Sequence, residues 1–543
     1  MKKVLIIIVV VLSLVLAGMG GYLWYLNTHI FVEDAVYAKR SEVLDLRGTG
    51  ISEDHYLSVK EQLPGCEIFW DVPFQGGVQS NDVTSVKITA LTEQDLTMMK
   101  YFTNLTKVDA TGCTDYVMLE KLCAEYPKLE VMYQVDLGGS AADPDVTELT
   151  LEPGQAEFEM LMQNLKHLPR LQSLMLSKTD LTVEEVDNLR SEYSGIAMDY
   201  TVEILGKEYA SDTTALDLSG MASSDVAAVA AVLPNLSKLE TVELMDANGT
   251  SALTMEDVKT LQTAAVDAVV HYTFDFFGVT ISTTDTEVKL HNKKIGDDNE
   301  DKVRLALDIM ENCDRFVLDT CRLSDEVLER IREDYRGKVK VVWRVWFGDN
   351  GSSLTDVEVI RAVYGLVDDN CHDLVYCEDV RFMDLGHNEH LDACDFVAGM
   401  PNLEAIIISG APIKSLEPFA NCPELKFLEA ANCMYIPDLA PLANCTKLEM
   451  VNLSYAKVED LSALDELKLT HLTFIHNRVS DEEEARFVEL HPDCWTVWTN
   501  GDQPYGKGWR YDEDGETKLP WYQRLADAFK YPNPNNNTGW YLD

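Results

Sequence analysis

Basic side chains are scarce in this sequence. Its 543 residues include 45 Lys and Arg against 92 Asp and Glu, which gives a formal net charge of -47. Such an excess of carboxylates repels phosphate backbones and anionic headgroups, so it argues against nucleic-acid binding and against a peripheral membrane face. It is typical of a solvated acidic exterior, and it also admits a cationic partner or loosely held divalent ions.

Catalytic motifs are also missing. The sequence contains no G-x-S-x-G, no H-E-x-x-H and no dinucleotide-binding fingerprint. The stretch Gly501–Gly508 imitates a phosphate-binding loop, but no Ser or Thr follows Lys507. The acidic stretch Asp512–Gly515 is too short for a calcium loop. We therefore expect a protein that is not an enzyme and that needs no cofactor.

Charge is absent from the run Val4–Leu26, which follows a basic start. Its 23 residues suffice to cross a hydrocarbon core of about 30 Å as a helix. A cleaved secretory signal is the alternative, but Ala17–Met19 is a poor cleavage site and is followed by more apolar residues. We predict a transmembrane signal-anchor over 4–26 and a juxtamembrane stalk over 27–41. The protein is then a single-pass protein of the cell membrane, with its ectodomain outside.

One phrase, L-x-x-L-x-L, recurs in the last third of the chain. Its copies begin at Leu403, Leu425, Leu448 and Leu469, every 21 to 23 residues. A period in that range is the signature of a leucine-rich repeat. A looser upstream form extends the pattern to about 21 strands at an average step near 23 residues. Amphipathic segments lie between them, and Thr182 is a predicted N-cap.

These four copies resemble the short leucine-rich repeats of bacterial surface proteins of the internalin kind. The resemblance implies an α/β solenoid over 42–498, with a parallel β-sheet on its concave side and helices or turns on its convex side. It also implies a surface location, and it leaves the partner open. A solenoid accommodates a chain of this length because each coil buries its core only against its neighbours.

A second period, about three strands long, is marked by an aromatic residue. The marker residues recur at nearly even intervals along the chain and are Trp70, Tyr133, Tyr200, Tyr272 and Trp343. A glycine and a polar loop follow each one, and glycine allows a backbone reversal. We predict five similar loops at one edge of the repeat; the alternative is that they are ordinary turns. The aromatics are expected to pack in the core rather than form a ligand-binding ladder.

The repeat is absent from the tail, 499–543, which is rich in aromatics, glycine, proline and asparagine. We interpret this tail as a cap over the open apolar end of the last coil, with one short helix over Leu519–Phe529. The alternative is a glycan-binding module, because the segment Gly508–Gly515 is similar to cell-wall-binding hairpins. Exposed aromatics on a polar rim are also typical of sugar sites.

Disulfides are not expected, although the chain is predicted to be exported and has twelve cysteines. Eight of them fall at positions of the repeat where small buried residues belong, so we expect buried thiols. Cys113, Cys321 and Cys433 occupy the place where this repeat takes Asn or Cys. A side chain there can satisfy buried backbone groups at the turn out of the strand.

Thiol and imidazole side chains cluster in one stretch. Cys371, Cys377, His387 and His390 lie within twenty residues of one another. Mixed thiolate and imidazole ligands at such spacings could hold a structural zinc ion. The alternative is that the histidines flank a turn, because Asn388 between them is in phase with the repeat.

A row of acidic residues is the candidate binding face. If the apolar residues of each strand point inward, their neighbours point outward; these neighbours include Asp45, Asp109, Glu243, Asp319, Asp384 and Glu429. We predict an extracytoplasmic recognition or scaffold protein that binds a protein or peptide partner, basic in character, through this row. The alternative is association with a cell-wall glycan through the aromatic tail and edge loops. Raised salt weakens the first mode and leaves sugar stacking nearly unchanged.

Overall fold

The computed structural model describes residues 2–502, 508–512 and 514–530. The chain forms two compact units. The first comprises Met1–Thr214 and Ala228–Leu239, and the second comprises Ala215–Ala227 and Glu240–Asp543. Both units contain groups of short strands, each paired in parallel with the next strand of its group.

A helix and a β-hairpin form the start of the first unit. Helix α1 covers Lys2–Thr28, and its segment Leu5–Thr28 is long and apolar enough to cross a membrane. Such a helix near the start of a chain agrees with an anchor and equally with a signal sequence. The predicted stalk contains an antiparallel hairpin, formed by β1, His29–Val32, and β2, Ala35–Ala38.

The first unit continues with three groups of parallel strands. Its strands are β3 Val43–Asp45, β4 Glu67–Phe69, β5 Asp71–Phe74, β6 Gly77–Ser80, β7 Ser85–Lys87, β8 Lys107–Asp109, β9 Glu130–Met132, β10 Val135–Asp136, β11 Ala141–Ala142, β12 Glu148–Leu151, β13 Ser173–Leu176, β14 Ala197–Ile204 and β15 Lys207–Ala210. Its helices are α2 Glu53–Gln62, α3 Glu93–Met98, α4 Tyr116–Glu125, α5 Phe158–Asn164 and α6 Val183–Glu192. Parallel pairing joins β3 to β4, β7 through β9, and β12 through β14.

The second unit contains two groups of three parallel strands and one group of seven. Helix α7, Val226–Val232, spans the boundary of the units. The strands are β16 Ala215–Asp217, β17 Thr241–Glu243, β18 Val269–His271, β19 Thr273–Asp275, β20 Thr280–Ser282, β21 Glu287–His291, β22 Arg315–Asp319, β23 Lys340–Phe347 and β24 Gly351–Leu354. The helices here are α8 Met255–Ala264, α9 Glu300–Ile309 and α10 Asp325–Asp334.

The seven-stranded sheet follows, and its strands pair in chain order. They are β25 Val359–Arg361, β26 Phe382–Asp384, β27 Ala405–Ile407, β28 Phe427–Glu429, β29 Met450–Asn452, β30 His471–Thr473 and β31 Trp495–Val497. Most connections are 3₁₀ helices, such as Asp395–Gly399 and Glu417–Asn421, and the last is α11, Asp481–Leu490. Each of the 21 predicted strands thus has a counterpart in the structure.

Several of the connecting helices begin at hydrogen-bonding caps. Thr182 accepts a hydrogen bond from the Glu185 N–H, and the Glu185 carboxylate accepts one from the Thr182 N–H. This capping box satisfies donors that have no partner within the first turn of the helix. The predicted N-cap at Thr182 is therefore confirmed, and Thr92 and Thr254 cap two other helices in the same way.

The five predicted edge loops are β-hairpins. In each, the chain continues past the parallel sheet and folds back on itself, which gives the pairs β5–β6, β10–β11, β14–β15, β19–β20 and β23–β24. The two residues at the tip of β14–β15, Leu205 and Gly206, have φ of 50° and 74°. Positive φ at both positions is what a tight two-residue hairpin turn requires. The predicted backbone reversal at these loops is confirmed.

The marker aromatics pack in the core at the bases of these hairpins. All five are between 1% and 7% exposed, which confirms core packing over a ligand-binding ladder. The backbone N–H of Trp70 donates to Asn81 Oδ1 at 2.9 Å. The backbone N–H of Asn81 donates to the Trp70 carbonyl at 2.9 Å. Thr283 pairs with Tyr272 and Thr355 pairs with Trp343 in the same way: the threonine hydroxyl accepts from the backbone N–H of the aromatic residue, and the threonine N–H donates to its carbonyl.

All twelve cysteines are free thiols. Of the eight that were expected to be buried from their place in the repeat, six are buried, whereas Cys66 and Cys494 are half-buried. Cys433 Sγ lies 3.2 Å from the Ile408 carbonyl. At the equivalent turn, the Asn388 amide donates to the carbonyls of Ala362 and Leu385, both at 2.8 Å. The predicted role of the Asn or Cys position in satisfying buried backbone groups is confirmed.

Candidate partner-binding face

The outer face of the seven-stranded sheet is formed by the first and third residues of its strands. The second residue of each strand points to the opposite side, because side chains alternate along a strand. The first row is Val359, Phe382, Ala405, Phe427, Met450, His471 and Trp495, and the third row is Arg361, Asp384, Ile407, Glu429, Asn452, Thr473 and Val497. We call these two rows the outer face.

Helix α12, Pro520–Ala528, covers the middle of the outer face. The anchors Trp521, Tyr522, Leu525 and Phe529 recur at helical spacing, so they share one side of the helix. They are between 1% and 8% exposed, and they form one apolar cluster with Phe382, Ala405, Ile407, Phe427 and Met450. The predicted tail helix over Leu519–Phe529 is present, and its apolar side is fully used.

The position of this helix corrects the prediction that the tail caps the end of the last coil. Trp498, beyond the last strand, already packs on Phe474 and Phe487, with ring centroids 5.8 and 6.1 Å apart. The outer face, in contrast, has large apolar side chains at outward positions such as Phe427. Apolar surface of this kind favours cover by another element, so the helix lies across the sheet.

Glu429 is the buried carboxylate at the centre of this contact. It is 1% exposed, and it accepts hydrogen bonds from the Tyr522 hydroxyl, from Arg510 at 3.2 Å and from the Ser409 hydroxyl at 3.0 Å. A buried charge is tolerated only when donors surround it in this way. Burial raises the pKa of Tyr522 well above its ordinary value, and the adjacent Glu429 adds to the rise. The phenol therefore stays protonated and donates.

Glu404 is a second carboxylate that receives a donor from the tail. Arg524 lies 3.2 Å from it and Lys426 lies 3.0 Å from it, and Arg381 forms a further ion pair. Burial by itself would raise the pKa of Glu404, but the hydrogen bonds from Lys426 and Arg381 outweigh burial and hold this pKa below its ordinary value. The carboxylate is thus ionised at neutral pH and attracts the arginine of α12.

Glu449 and two aromatic rings complete the contact. The Trp521 indole N–H donates to Glu449 at 2.9 Å. The guanidinium of Arg524 lies 4.8 Å from the Trp521 ring centroid and 5.1 Å from that of Phe382. Both distances are within the range of cation–π attraction. The outer face therefore binds its helix through apolar anchors and through carboxylates that take N–H, O–H or guanidinium donors.

The predicted acidic row is divided among several sheets. Its members all lie at outward strand positions, but on five different sheets, and only Asp384 and Glu429 share one. Asp45 and Glu243 are exposed and Asp109 is half-buried, whereas Asp319, Asp384 and Glu429 are 9%, 4% and 1% exposed. The row thus changes from solvated to buried along the chain.

Four members of the row have a basic partner within the chain. The pairs are Asp45 with Arg47 at 2.6 Å, Asp319 with Arg344 at 2.8 Å, Asp384 with Arg361 at 3.9 Å and Glu429 with Arg510 at 3.2 Å. The hydrogen bond from Arg344 lowers the pKa of Asp319 to about 2. At Glu429, the basic group belongs to the tail of the same chain.

The structure does not bring the four candidate zinc ligands together. Cys371 and Cys377 are buried, whereas His387 and His390 are exposed. Burial raises the pKa of Cys371 to about 11 and that of Cys377 to about 12. These four side chains are not among the groups of candidate metal ligands whose donor atoms lie within 4.8 Å of one another, so they do not form the compact ligand set of a structural zinc site.

A carboxylate cluster at Glu329, Glu333 and Glu378 is the one group of three candidate metal ligands within 4.8 Å among residues 2–502, 508–512 and 514–530. Arg332 and Arg336 already pair with it, at 2.8 and 2.9 Å from Glu378. These guanidinium groups neutralise the carboxylates, so the cluster is part of a surface ion-pair network.

The aromatics proposed for glycan binding are only partly described. Trp521, Tyr522 and Phe529 are buried against the outer face, and Trp509 packs against the same cluster. Buried rings are not available to stack on a sugar. Tyr531, Trp540 and Tyr541 lie outside the described residues.

The carboxylates that contact α12, Glu404 and Glu449, were not predicted as binding residues from the sequence, although the sequence contains a pattern that marks them. The residue before each strand alternates in sign from Glu358 through Arg381, Glu404 and Lys426 to Glu449, once in every repeat. Neighbouring members of this series form ion pairs, for example Arg381 with Glu358 and Lys426 with Glu404. Alternation at the period of the repeat indicates a charged ladder along one edge of the sheet.

No family model matches this chain, and no curated protein matches it. Among solved structures, an internalin of Listeria monocytogenes aligns at 15% identity, over 78% of this chain and 84% of that one, with a TM-score of 0.23. A leucine-rich-repeat protein of Leptospira interrogans aligns at 15% identity, over 76% and 93%, with a TM-score of 0.24. An internalin C2 of Listeria monocytogenes aligns at 16% identity, over 46% and 86%, with a TM-score of 0.23. Because these scores are low, the description of the repeat rests on the strand pairing within this chain.

Proposed function

We propose that this chain is a membrane-anchored recognition protein that is not an enzyme and that acts outside the cytoplasm. Helix α1 holds it in the cell membrane, and the outer face of the seven-stranded sheet binds a protein or peptide partner. The preferred partner segment is a helix with adjacent aromatic side chains and an arginine, as in Trp521, Tyr522 and Arg524. Nucleic acid is not a partner, because the excess of carboxylates repels it.

The observation that carries this proposal is the presence of α12 on the outer face. Burial of a Leu or Phe side chain in such a contact contributes about 1.5–3 kcal/mol. Recognition of a helix in an apolar groove uses anchors spaced by three or four residues, and Trp521 and Leu525 have that spacing. A foreign helix with the same anchors therefore competes for the same face.

The tail is a resident competitor because it belongs to the same chain. Covalent attachment makes docking of the tail an intramolecular event, and such events commonly have effective concentrations on the order of millimolar. A partner must overcome this concentration, or bind after the tail has been released. The outer face is therefore selective for partners that offer more contact than α12 does.

The test uses a fluorescent peptide with the sequence of residues 517–530 and the full chain in detergent micelles. In the chain, Trp521→Ala combined with Leu525→Ala weakens the resident helix, and we expect this variant to bind the peptide at least tenfold more tightly than the wild type. The matched control is Gln523→Ala, because Gln523 is exposed on the same helix. It should behave like the wild type.

A second peptide distinguishes specific binding to the outer face from non-specific hydrophobic binding. In that peptide Arg524→Glu places a carboxylate against Glu404, so we expect the peptide to lose binding to the double variant. Raised salt should also weaken the wild-type peptide. Equal binding of both peptides, or no binding of either to the double variant, contradicts the proposal.

A further inference from the structure

The hairpin β1–β2 follows the apolar helix α1 without a linker, since α1 ends at Thr28 and β1 begins at His29. The Lys39 N–H donates to the Thr28 carbonyl at 2.8 Å, which ties the end of the hairpin back to the end of the helix. At the turn, Glu33 lies 3.4 Å from His55 of α2. The hairpin is thus held between the helix and the first repeat of the chain.

The two faces of this hairpin differ. Ile30 and Val32 are 4% and 1% exposed, so one face is buried. Phe31 and Val36 lie directly opposite each other in the strand register, and they are 50% and 43% exposed. Side chains paired in this way share one face of a hairpin. An apolar patch therefore remains uncovered on the other face.

This patch is continuous with the outer end of α1. The Phe31 ring meets the Tyr25 ring edge-on, with centroids 6.1 Å apart. Tyr25 also stacks on His29 at 4.3 Å, and Trp24 beside it is 65% exposed. Trp and Tyr at the end of a membrane-spanning helix are typical of the boundary between headgroups and acyl chains. Phe31, in contact with Tyr25, lies at the same level.

We propose that the patch of Phe31 and Val36 is a membrane-contact surface, seated in the headgroup–acyl boundary of the phospholipid bilayer that α1 spans. This inference rests on the membrane anchor of the proposed function. Amphipathic elements bind this boundary through their apolar side, and here α1 supplies the attachment. Lys39 and Arg40 follow β2 and are available to lipid phosphates. The hairpin then fixes the orientation of the first repeat relative to the membrane.

The test is photo-crosslinking of the full chain in phosphatidylcholine vesicles. A photoreactive benzoylphenylalanine replaces one residue at a time, at Trp24, Phe31, Val36 or Val78. Position 24 reports insertion of α1. Position 78 is the matched control, because Val78 lies in another antiparallel hairpin, β5–β6, and is 66% exposed. Crosslinked lipid is detected on the intact protein by mass spectrometry.

We expect lipid adducts at positions 31 and 36 at a yield within about threefold of position 24, and at least tenfold less at position 78. Adducts at 24 without adducts at 31 and 36 overturn the membrane-contact surface and leave the anchor intact. Absence of adducts at 24 overturns both. Equal adducts at 78 also overturn the inference, because exposure alone would then explain the signal.

Discussion

The second unit contains two sheets whose outward sides are satisfied by different means. In the sheet β21–β23, ten-residue helices connect the strands, and the hairpin β23–β24 ends the sheet. In β25–β31 the strands follow one another at shorter intervals, most connections are 3₁₀ helices, and no hairpin occurs among these described strands. Short connections accompany an uninterrupted sheet.

The side chains differ in the same way. On β21–β23, Asp319 is held by Arg344 and by His291, so neighbouring strands satisfy one another. On the seven-stranded sheet, apolar side chains such as Phe427 point outward and are covered by α12. The outward side of β21–β23 is satisfied by ion pairs between its own strands. The outward side of β25–β31 is apolar, with carboxylates beside it, and a helix packs on it. This difference is the reason for placing the partner site on β25–β31.

The strongest test of the comparison is Phe427→Ala against Phe316→Ala. Both side chains are 0% exposed, and each truncation should lower the free energy of unfolding by about 3–5 kcal/mol. Only Phe427→Ala should also release α12, because only Phe427 packs on Trp521 and Tyr522. Hydrogen exchange of the α12 amides at neutral pH measures the release. Equal protection of α12 in both variants contradicts the comparison.

The ion pair of the shorter sheet is tested with Arg344→Ala, which should cost about 1.5–3 kcal/mol through the lost charge-assisted hydrogen bonds to Asp319. The folded pKa of Asp319, about 2, is below its ordinary value of 3.8. Its stabilising contribution is therefore present above pH 4 and lost as the pH falls from 4 to 2.

Urea unfolding of the wild type and of Arg344→Ala at pH 7 and at pH 3 measures this effect, and the difference between the two proteins should shrink at pH 3. The control is Arg47→Ala, whose pair with Asp45 is exposed to solvent. Exposed ion pairs contribute little, so this variant should unfold like the wild type at both pH values. A constant difference across pH would falsify the assignment to Asp319.

The polar part of the α12 contact is tested with Tyr522→Phe, which removes the hydroxyl donor of Glu429 and leaves the ring in place. We expect a loss of about 1.5–3 kcal/mol, because the hydroxyl donates to a buried carboxylate. A double-mutant cycle with Glu429→Gln isolates the pair. If the two substitutions prove additive, the hydrogen bond between these side chains does not contribute to docking of the tail.

The smallest expected effect concerns the five edge hairpins, which follow the shorter sheets. Gly278 has φ of 76°, and a Cβ there would meet only the flexible end of Lys293 at 3.7 Å. Gly278→Ala should therefore cost about 1 kcal/mol from backbone conformation alone. Gly220→Ala is the matched control, because Gly220 has open space and no positive φ. Thermal unfolding of the two variants should differ by a few degrees.

Local patterns in the sequence were sufficient for most of the architecture. The apolar phrase around Leu428 or Leu472 determines a strand because its centre must be buried, and Thr182 marks a helix start because its hydroxyl caps the first turn. The five hairpins were predicted as loops from the glycine after each aromatic. The marker could not distinguish a paired hairpin from a polar loop, because antiparallel pairing depends on contacts along both segments.

The candidate site depended on contacts that no local pattern contains. Glu429 was identified as an outward acid, but its donors Tyr522 and Arg510 are 93 and 81 residues away in the chain. The helix over Leu519–Phe529 was predicted as part of a cap on the last coil, and the surface that it covers was not predicted. The half-buried Asp109 and the buried Glu429 occupy equivalent strand positions, so periodicity alone could not separate them.

The hairpins also bear on how the chain responds to force. Each one ends a ladder of backbone hydrogen bonds, and the ladders recur with the long period of the aromatic markers. Under the function proposed above, a pull between α1 and a partner on the seven-stranded sheet acts on these blocks along the chain, so the weakest opens first while the others hold. A block of roughly 70 residues releases roughly 230–250 Å of extended chain. The repeat region would then lengthen by stepwise unfolding under load before the contact with the partner breaks.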